Sequence, residues 1–107
     1  MDDSAFETQA EQTLTRLQAQ IEAALDDVDV ELRGGILTLE LADGRQYVIN
    51  KHLPNRQIWL SSPISGAAHF ARDPATGVWR STRSDTELHR LLANELTDAT
   101  GQPVDLD

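Results

Sequence analysis

Apolar residues at helical spacing mark both ends of this chain, and short alternating segments fill the stretch between. Phe6, Ala10, Leu14, Leu17, Ile21, Ala24 and Leu25 recur every third or fourth residue. At 100° per residue they line one side of an amphipathic helix of roughly six turns. Leu88, Leu91, Leu92, Leu96 and Ala99 mark the buried face of a second helix, which Gly101 and Pro103 end. Ser4-x-x-Glu7 and Ser84-x-x-Glu87 read as capping boxes for the two helices. Between them, Val28, Val30 and Leu32 alternate with Asp29, Glu31 and Arg33, and Leu37, Leu39 and Leu41 with Thr38 and Glu40. Such alternation is that of half-buried strands.

Turn residues punctuate the strands. Gly34-Gly35 and Asp43-Gly44 are hairpin signals, and Pro54-Asn55, Pro63–Gly66 and Asp73–Gly77 are further breaks. Strands are thus expected at 46–50, 57–61, 68–71 and 78–81, with His52 in a loop. Val104 and Leu106 are placed to lay a tail against the core. The order helix, antiparallel strands, helix implies an α+β fold in which both helices cover one face of a meandering sheet. A chain of 107 residues holds one modest core, so residues 1–107 are expected to form a single domain.

That arrangement leaves the other sheet face bare. In Gln57-Ile58-Trp59-Leu60-Ser61, Ile58 and Leu60 point to the core, so Gln57, Trp59 and Ser61 point away from it. A tryptophan on a solvated face, among polar neighbours, marks a contact surface better than a buried leucine does.

The net charge of −9 is concentrated at one end. Residues 1–32 carry nine acids and one base, Arg16, whereas residues 33–107 carry nine acids and eight bases. A field of this sign repels nucleic acid and anionic membrane and attracts cations or basic protein surfaces. There is no cysteine, which excludes disulfides, thiolate nucleophiles and a cysteine-held iron–sulfur cluster. No apolar run approaches the roughly 20 residues that span a bilayer. Met1-Asp2-Asp3-Ser4 is acidic, unlike a secretory or mitochondrial leader, and a cytoplasmic protein is expected.

Glu11, Gln18, Glu22 and Asp26 fall on a stripe beside the apolar one, with Glu7 on the border between them. With Asp27, Asp29 and Glu31 they would gather carboxylates along the helix and the neighbouring strand edge. Hard oxygen donors on an open surface suit iron, manganese, magnesium or calcium, weakly and with poor selectivity. An acidic helix face is often only solvated, but these acids lack the lysines and arginines that would pair with them at i,i+4. The three histidines, His52, His69 and His89, are scattered and do not form a metal-ligand cluster. Ser61-Ser62 lacks the glycines and base of a nucleophile elbow.

The run from Asn50 to Phe70 also resembles the signature of the frataxin family. Asn50-Lys51, Pro54-Asn55, Gln57-Ile58-Trp59-Leu60-Ser61-Ser62-Pro63 and Ser65-Gly66 carry the likeness. Phe6-Glu7 with Glu11 and Leu14, Gly35-Ile36-Leu37-Thr38, and the run from Leu88 to Thr97 extend it over nearly the whole chain. The resemblance is to bacterial members, and it implies a two-layer α-β sandwich. It further implies that iron, as Fe(II) or Fe(III), binds weakly on an acidic ridge of Glu7, Glu11, Glu22, Asp26, Asp27, Asp29 and Glu31. Asn50, Lys51, His52, Gln57, Trp59 and His69 look like the residues that dock on the cysteine desulfurase and the iron–sulfur scaffold protein.

The expected function is therefore an iron-binding, non-enzymatic protein of iron–sulfur cluster assembly, monomeric without iron. A ferroxidase is the alternative of a different class. It is disfavoured because no histidine-plus-carboxylate di-iron arrangement is present. A metal-independent regulator of the desulfurase would use the same acids.

Overall fold

The computed structural model describes residues 2–107; Met1, and with it the start of the acidic N-terminal run, lies outside the described residues. Helix α1 spans Asp3–Ala24 and buries Phe6, Ala10, Leu14, Leu17 and Ile21, the expected stripe. Its cap differs from the expected one. Asp2 is the N-cap, its Oδ1 accepting from the Ala5 N–H at 2.7 Å, and Ser4 lies inside the first turn. A carboxylate at this position satisfies a free N–H and also meets the positive end of the helix dipole.

Six strands follow: β1 (Asp29–Arg33), β2 (Ile36–Glu40), β3 (Gln46–His52), β4 (Gln57–Ser62), β5 (Gly66–Arg72) and β6 (Trp79–Ser81). They pair in chain order as one antiparallel meander. Gly34 and Gly35, at φ +59° and +78°, form the two-residue loop between the paired residues Arg33 and Ile36. Positive φ at both positions is what a type I′ turn requires, and glycine adopts it without steric cost. Strand β3 runs two residues beyond its expected end, because Lys51 and His52 pair with Ile58 and Gln57. His52 is therefore a strand residue, and the loop assignment is corrected.

Helix α2 spans Leu88–Thr100 and buries Leu88, Leu92 and Leu96. Ser84 does not cap it. Its hydroxyl accepts from the Thr86 N–H within a turn at 3.2 Å, and Glu87, the N-cap, bridges to Arg80 of β6. The helix closes at Gly101, left-handed at φ 73°, whose N–H donates to the Thr97 carbonyl. This fold is the two-layer α-β sandwich, with a six-stranded antiparallel sheet under two helices. One core joins the layers: Leu37, Leu39, Tyr47, Ile49, Ile58, Leu60, Phe70 and Trp79 from the sheet meet the buried residues of both helices. Phe6 and Trp79 meet edge to face at 6.2 Å, and Val104 seals the end.

Candidate functional site

The uncovered sheet face is built by strand alternation. Register places Asn50, Trp59 and His69 side by side on β3, β4 and β5, with His52 opposite Gln57 in the adjacent row. Trp59 is half-buried, not freely exposed as the sequence reading had it. Its indole is sandwiched between two imidazoles: His52 stacks on one side at 3.6 Å between ring centres and His69 on the other at 4.2 Å, both within 10° of parallel. The Trp59 Nε1–H donates to Gln57 Oε1 at 2.9 Å, and the Asn50 side chain donates to the Lys51 carbonyl at 3.2 Å. The His52 Nδ1 is buried without a hydrogen-bond partner. Ile36, 45% exposed and paired with Asn50, extends the face toward the β1 edge. The two histidines that looked scattered in sequence are thus brought together, on opposite sides of one ring.

Lys51 does not belong to this face. It shares the side of β3 on which Ile49 enters the core, so its stem runs under the sheet toward α1. The ammonium lies 3.4 Å from Glu11 and 3.8 Å from Glu7. The assumption that the acids lack basic partners is corrected at this end of the ridge.

The acidic residues occupy three places. Glu7, Glu11 and Glu22 are on α1, and Asp26 and Asp27 lie in the turn that follows it. Asp29 and Glu31 point to the opposite side of β1 from Val30 and Leu32, which rest against the core. They therefore sit on the edge of the same uncovered face as Trp59, with Asp29 opposite Glu40 and Glu31 paired to Arg33 at 3.1 Å. Among the described residues, no three acidic or histidine side chains converge to hold a metal ion. The arrangement offers a cation one or two carboxylates at a time, with the rest of its shell supplied by water.

Three features had no clear counterpart in the sequence reading. Glu95 of α2 accepts from the Tyr47 hydroxyl at 2.8 Å and from Ser62 Oγ at 2.7 Å. Ser62 in turn accepts from the N–H groups of Ile64 and Ser65, fixing the loop that follows Trp59's strand. Burial and the adjacent Glu95 carboxylate push the Tyr47 hydroxyl far above its usual pKa. An acid next to Leu96 on the buried side of a helix was the available signal. On the outer side of the helices, Asp107 closes the tail by pairing with Arg16 at 3.0 Å and bonding Gln20. Arg16 and Gln20 hold its carboxyl at about 2. Between α1, α2 and this tail runs a groove of about 1150 Å³, into which Thr13, Trp79 and His89 face. Burial lowers the pKa of His89 there.

The fold and the arrangement of these faces define a frataxin-like domain, and the family model described as "Frataxin-like domain" matches residues 1–102. The chain belongs to the frataxin family. It is 38% identical over 105 residues to the "Iron-sulfur cluster assembly protein CyaY" of Dechloromonas aromatica, covering 97% of each. It is 36% identical to the mitochondrial frataxin of Arabidopsis thaliana, spanning 99% of this chain and 59% of that one. Among solved structures it is similar to frataxin from Psychromonas ingrahamii (TM-score 0.88, 30% identity, 98% and 97% of the two chains). It is also similar to trimeric yeast frataxin complexed with ferrous iron (TM-score 0.69, 39% identity, 94% and 88%). Within the family its likeness is to the bacterial CyaY type. No helix among the described residues is long and apolar enough to cross a membrane.

Proposed function

We propose that this protein serves iron–sulfur cluster assembly as a binding module, without catalytic residues of its own, in the bacterial cytoplasm. It holds ferrous or ferric iron loosely along Glu7, Glu11, Glu22, Asp26, Asp27, Asp29 and Glu31. It docks on the cysteine desulfurase and its scaffold through those charges and the face of Asn50, His52, Gln57, Trp59 and His69, while Lys51, on the other side of β3, would act from the helix side beside Glu7 and Glu11. Through that contact it delivers iron or tunes the rate of sulfur release. The observation that carries this reading is the half-exposed Trp59, fixed between two imidazoles on a sheet face whose β1 edge carries carboxylates. A rigid aromatic anchor beside a strongly charged rim is the build of a protein-docking surface. The similarity to CyaY proteins named for cluster assembly supports the pathway, and the ferrous complex of yeast frataxin supports the cargo.

Exposed oxygen donors bind iron weakly, as a carrier that must hand it on requires. Reversing charge at Glu22, Asp26 and Asp27 together is expected to abolish both iron binding and desulfurase docking. Docking that survives this triple change unaltered would show that the ridge is not the contact.

A further inference from the structure

The Trp59 indole is gripped from both sides, but the two imidazoles that grip it are not equivalent. His52 stacks from β3 at 3.6 Å between ring centres and His69 from β5 at 4.2 Å. The His52 Nδ1 is buried without a hydrogen-bond partner, and among the described residues no nitrogen of His69 is in that condition. Two acceptors beside His52 are already engaged. Gln57 Oε1, on its cross-strand partner, accepts from the Trp59 Nε1–H at 2.9 Å, and the Lys51 carbonyl accepts from Asn50 at 3.2 Å. The charged groups around this face are engaged too. Glu31 and Arg33 of β1 pair with each other, and Arg80 of β6 pairs with Asp73 and Glu87. Asp29 and Glu40 stand opposite one another at the far end of the β1–β2 pair. Lys51 turns away to Glu7 and Glu11, and Arg56, in the β3–β4 turn, pairs with Asp3. Neither histidine takes part in an ion pair among the described residues.

This environment treats the two protonation states of His52 differently. A neutral imidazole carries one N–H, and with that proton on Nε2 the buried Nδ1 holds only a lone pair. A protonated imidazole carries an N–H on both nitrogens, so His52 could keep its place only with a charged donor buried and unmet. Such a donor forfeits its hydration and gains nothing in exchange. The attraction of a cation to a half-exposed indole face returns less than that loss. His69 meets no such obstacle, and the same attraction keeps it on the ring when it is charged.

We propose that His52 is a proton-operated clamp on Trp59: neutral, it closes the indole against His69; protonated, it leaves the ring face for water while His69 stays. The consequence for docking rests on the reading of this face as the docking surface. The clamp holds Trp59 ready for a partner at neutral to alkaline pH and releases one side of it as pH falls.

The first arm of the test uses the isolated protein. Nuclear Overhauser contacts between the His52 ring protons and the Trp59 indole are expected at about pH 8 and should vanish by about pH 5.5. Those from His69 should be present at both, with the amide spectrum still that of a folded chain. His52 contacts that persist at the lower pH, or that disappear together with those of His69, would overturn the clamp. The second arm measures docking on the cysteine desulfurase at about pH 8 and about pH 6, for the wild type and for His52→Phe, which keeps a flat ring on the indole and takes no proton. Acid should weaken the wild type about threefold more than the variant. Equal weakening would overturn the role of the clamp in docking. Trp59→Ala docking as tightly as the wild type would instead overturn the docking surface and the consequence drawn from it, and the first arm alone then decides the clamp.

Discussion

The His52 imidazole lies flat against the Trp59 indole, 3.6 Å between ring centres and 10° from parallel, although Gln57 and not Trp59 is its direct cross-strand partner. The contact is diagonal across the β3–β4 pair, and His69 covers the other side of the ring. Trp59 is thereby held in one rotamer before any partner arrives. Pre-organisation of this kind lowers the entropy lost on docking.

Removing His52 should therefore weaken docking more than it weakens the fold. An aromatic pair contributes about 0.5–1.5 kcal/mol, so His52→Ala is expected to lower affinity for the desulfurase severalfold and shift Trp59 fluorescence to the red. Trp59→Ala should abolish docking with a small change in melting temperature. A large loss of stability in Trp59→Ala would place the indole in the structural core instead.

Glu95 is a stability residue. Its truncation to alanine leaves the Tyr47 hydroxyl and Ser62 Oγ without their shared acceptor, which costs about 2–3 kcal/mol for charge-assisted bonds. Urea unfolding of Glu95→Ala and Tyr47→Phe measures this, with the alanine variant the more damaged. The raised pKa of Tyr47 adds an alkaline signature. Above pH about 10 the unfolded chain releases the phenolic proton and the folded one retains it. Stability should fall there in the wild type and less steeply in Tyr47→Phe.

His89 and Asp107 both contribute on the acid side. The pKa of His89 is lowered by burial from 6.5, so as pH drops through that value the unfolded chain binds the proton first and stability declines. His89→Gln should flatten the melting temperature between about pH 7 and 5. Asp107 is depressed from 3.8 to about 2 by Arg16 and Gln20. Its contribution is full above 3.8 and is lost as pH falls toward 2, and Asp107→Asn should reduce that second step, to which the likewise depressed Asp43 and Asp73 also contribute.

The crowded carboxylates of residues 2–31 predict a salt response of the opposite sign to that of an ordinary ion-paired surface. Screening relieves repulsion among exposed like charges, so the melting temperature should rise with sodium chloride. Docking to a basic partner should weaken over the same range. A melting temperature that falls with salt would contradict this reading of the ridge.

Much of the fold was legible because it rests on local periodicity. The stripe from Phe6 to Ile21 and the Gly34-Gly35 turn required no tertiary information. The caps differ because Ser84, four residues before α2, looks the same in sequence whether it caps or turns, and because Asp2, two residues before Ser4, can cap α1 equally well. Asp2 and Glu87 hold those places here. For Lys51 the difficulty was where β3 ends. Two more paired residues turn the chain from loop to strand, and alternation then sends Lys51 to α1 and His52 to Trp59. Contacts between His52 and His69 on either side of one ring, or between Tyr47 and Glu95, join residues 17 and 48 positions apart. Sequence spacing does not encode such pairs.

The most direct test of the central claim is an anaerobic ferrous titration of the isolated protein followed by amide NMR. Selective broadening confined to residues 7–31 is the predicted result and makes the ridge the iron surface. No selective change at millimolar ferrous iron would contradict it, leaving Trp59 and the sheet as the functional face of a metal-independent regulator.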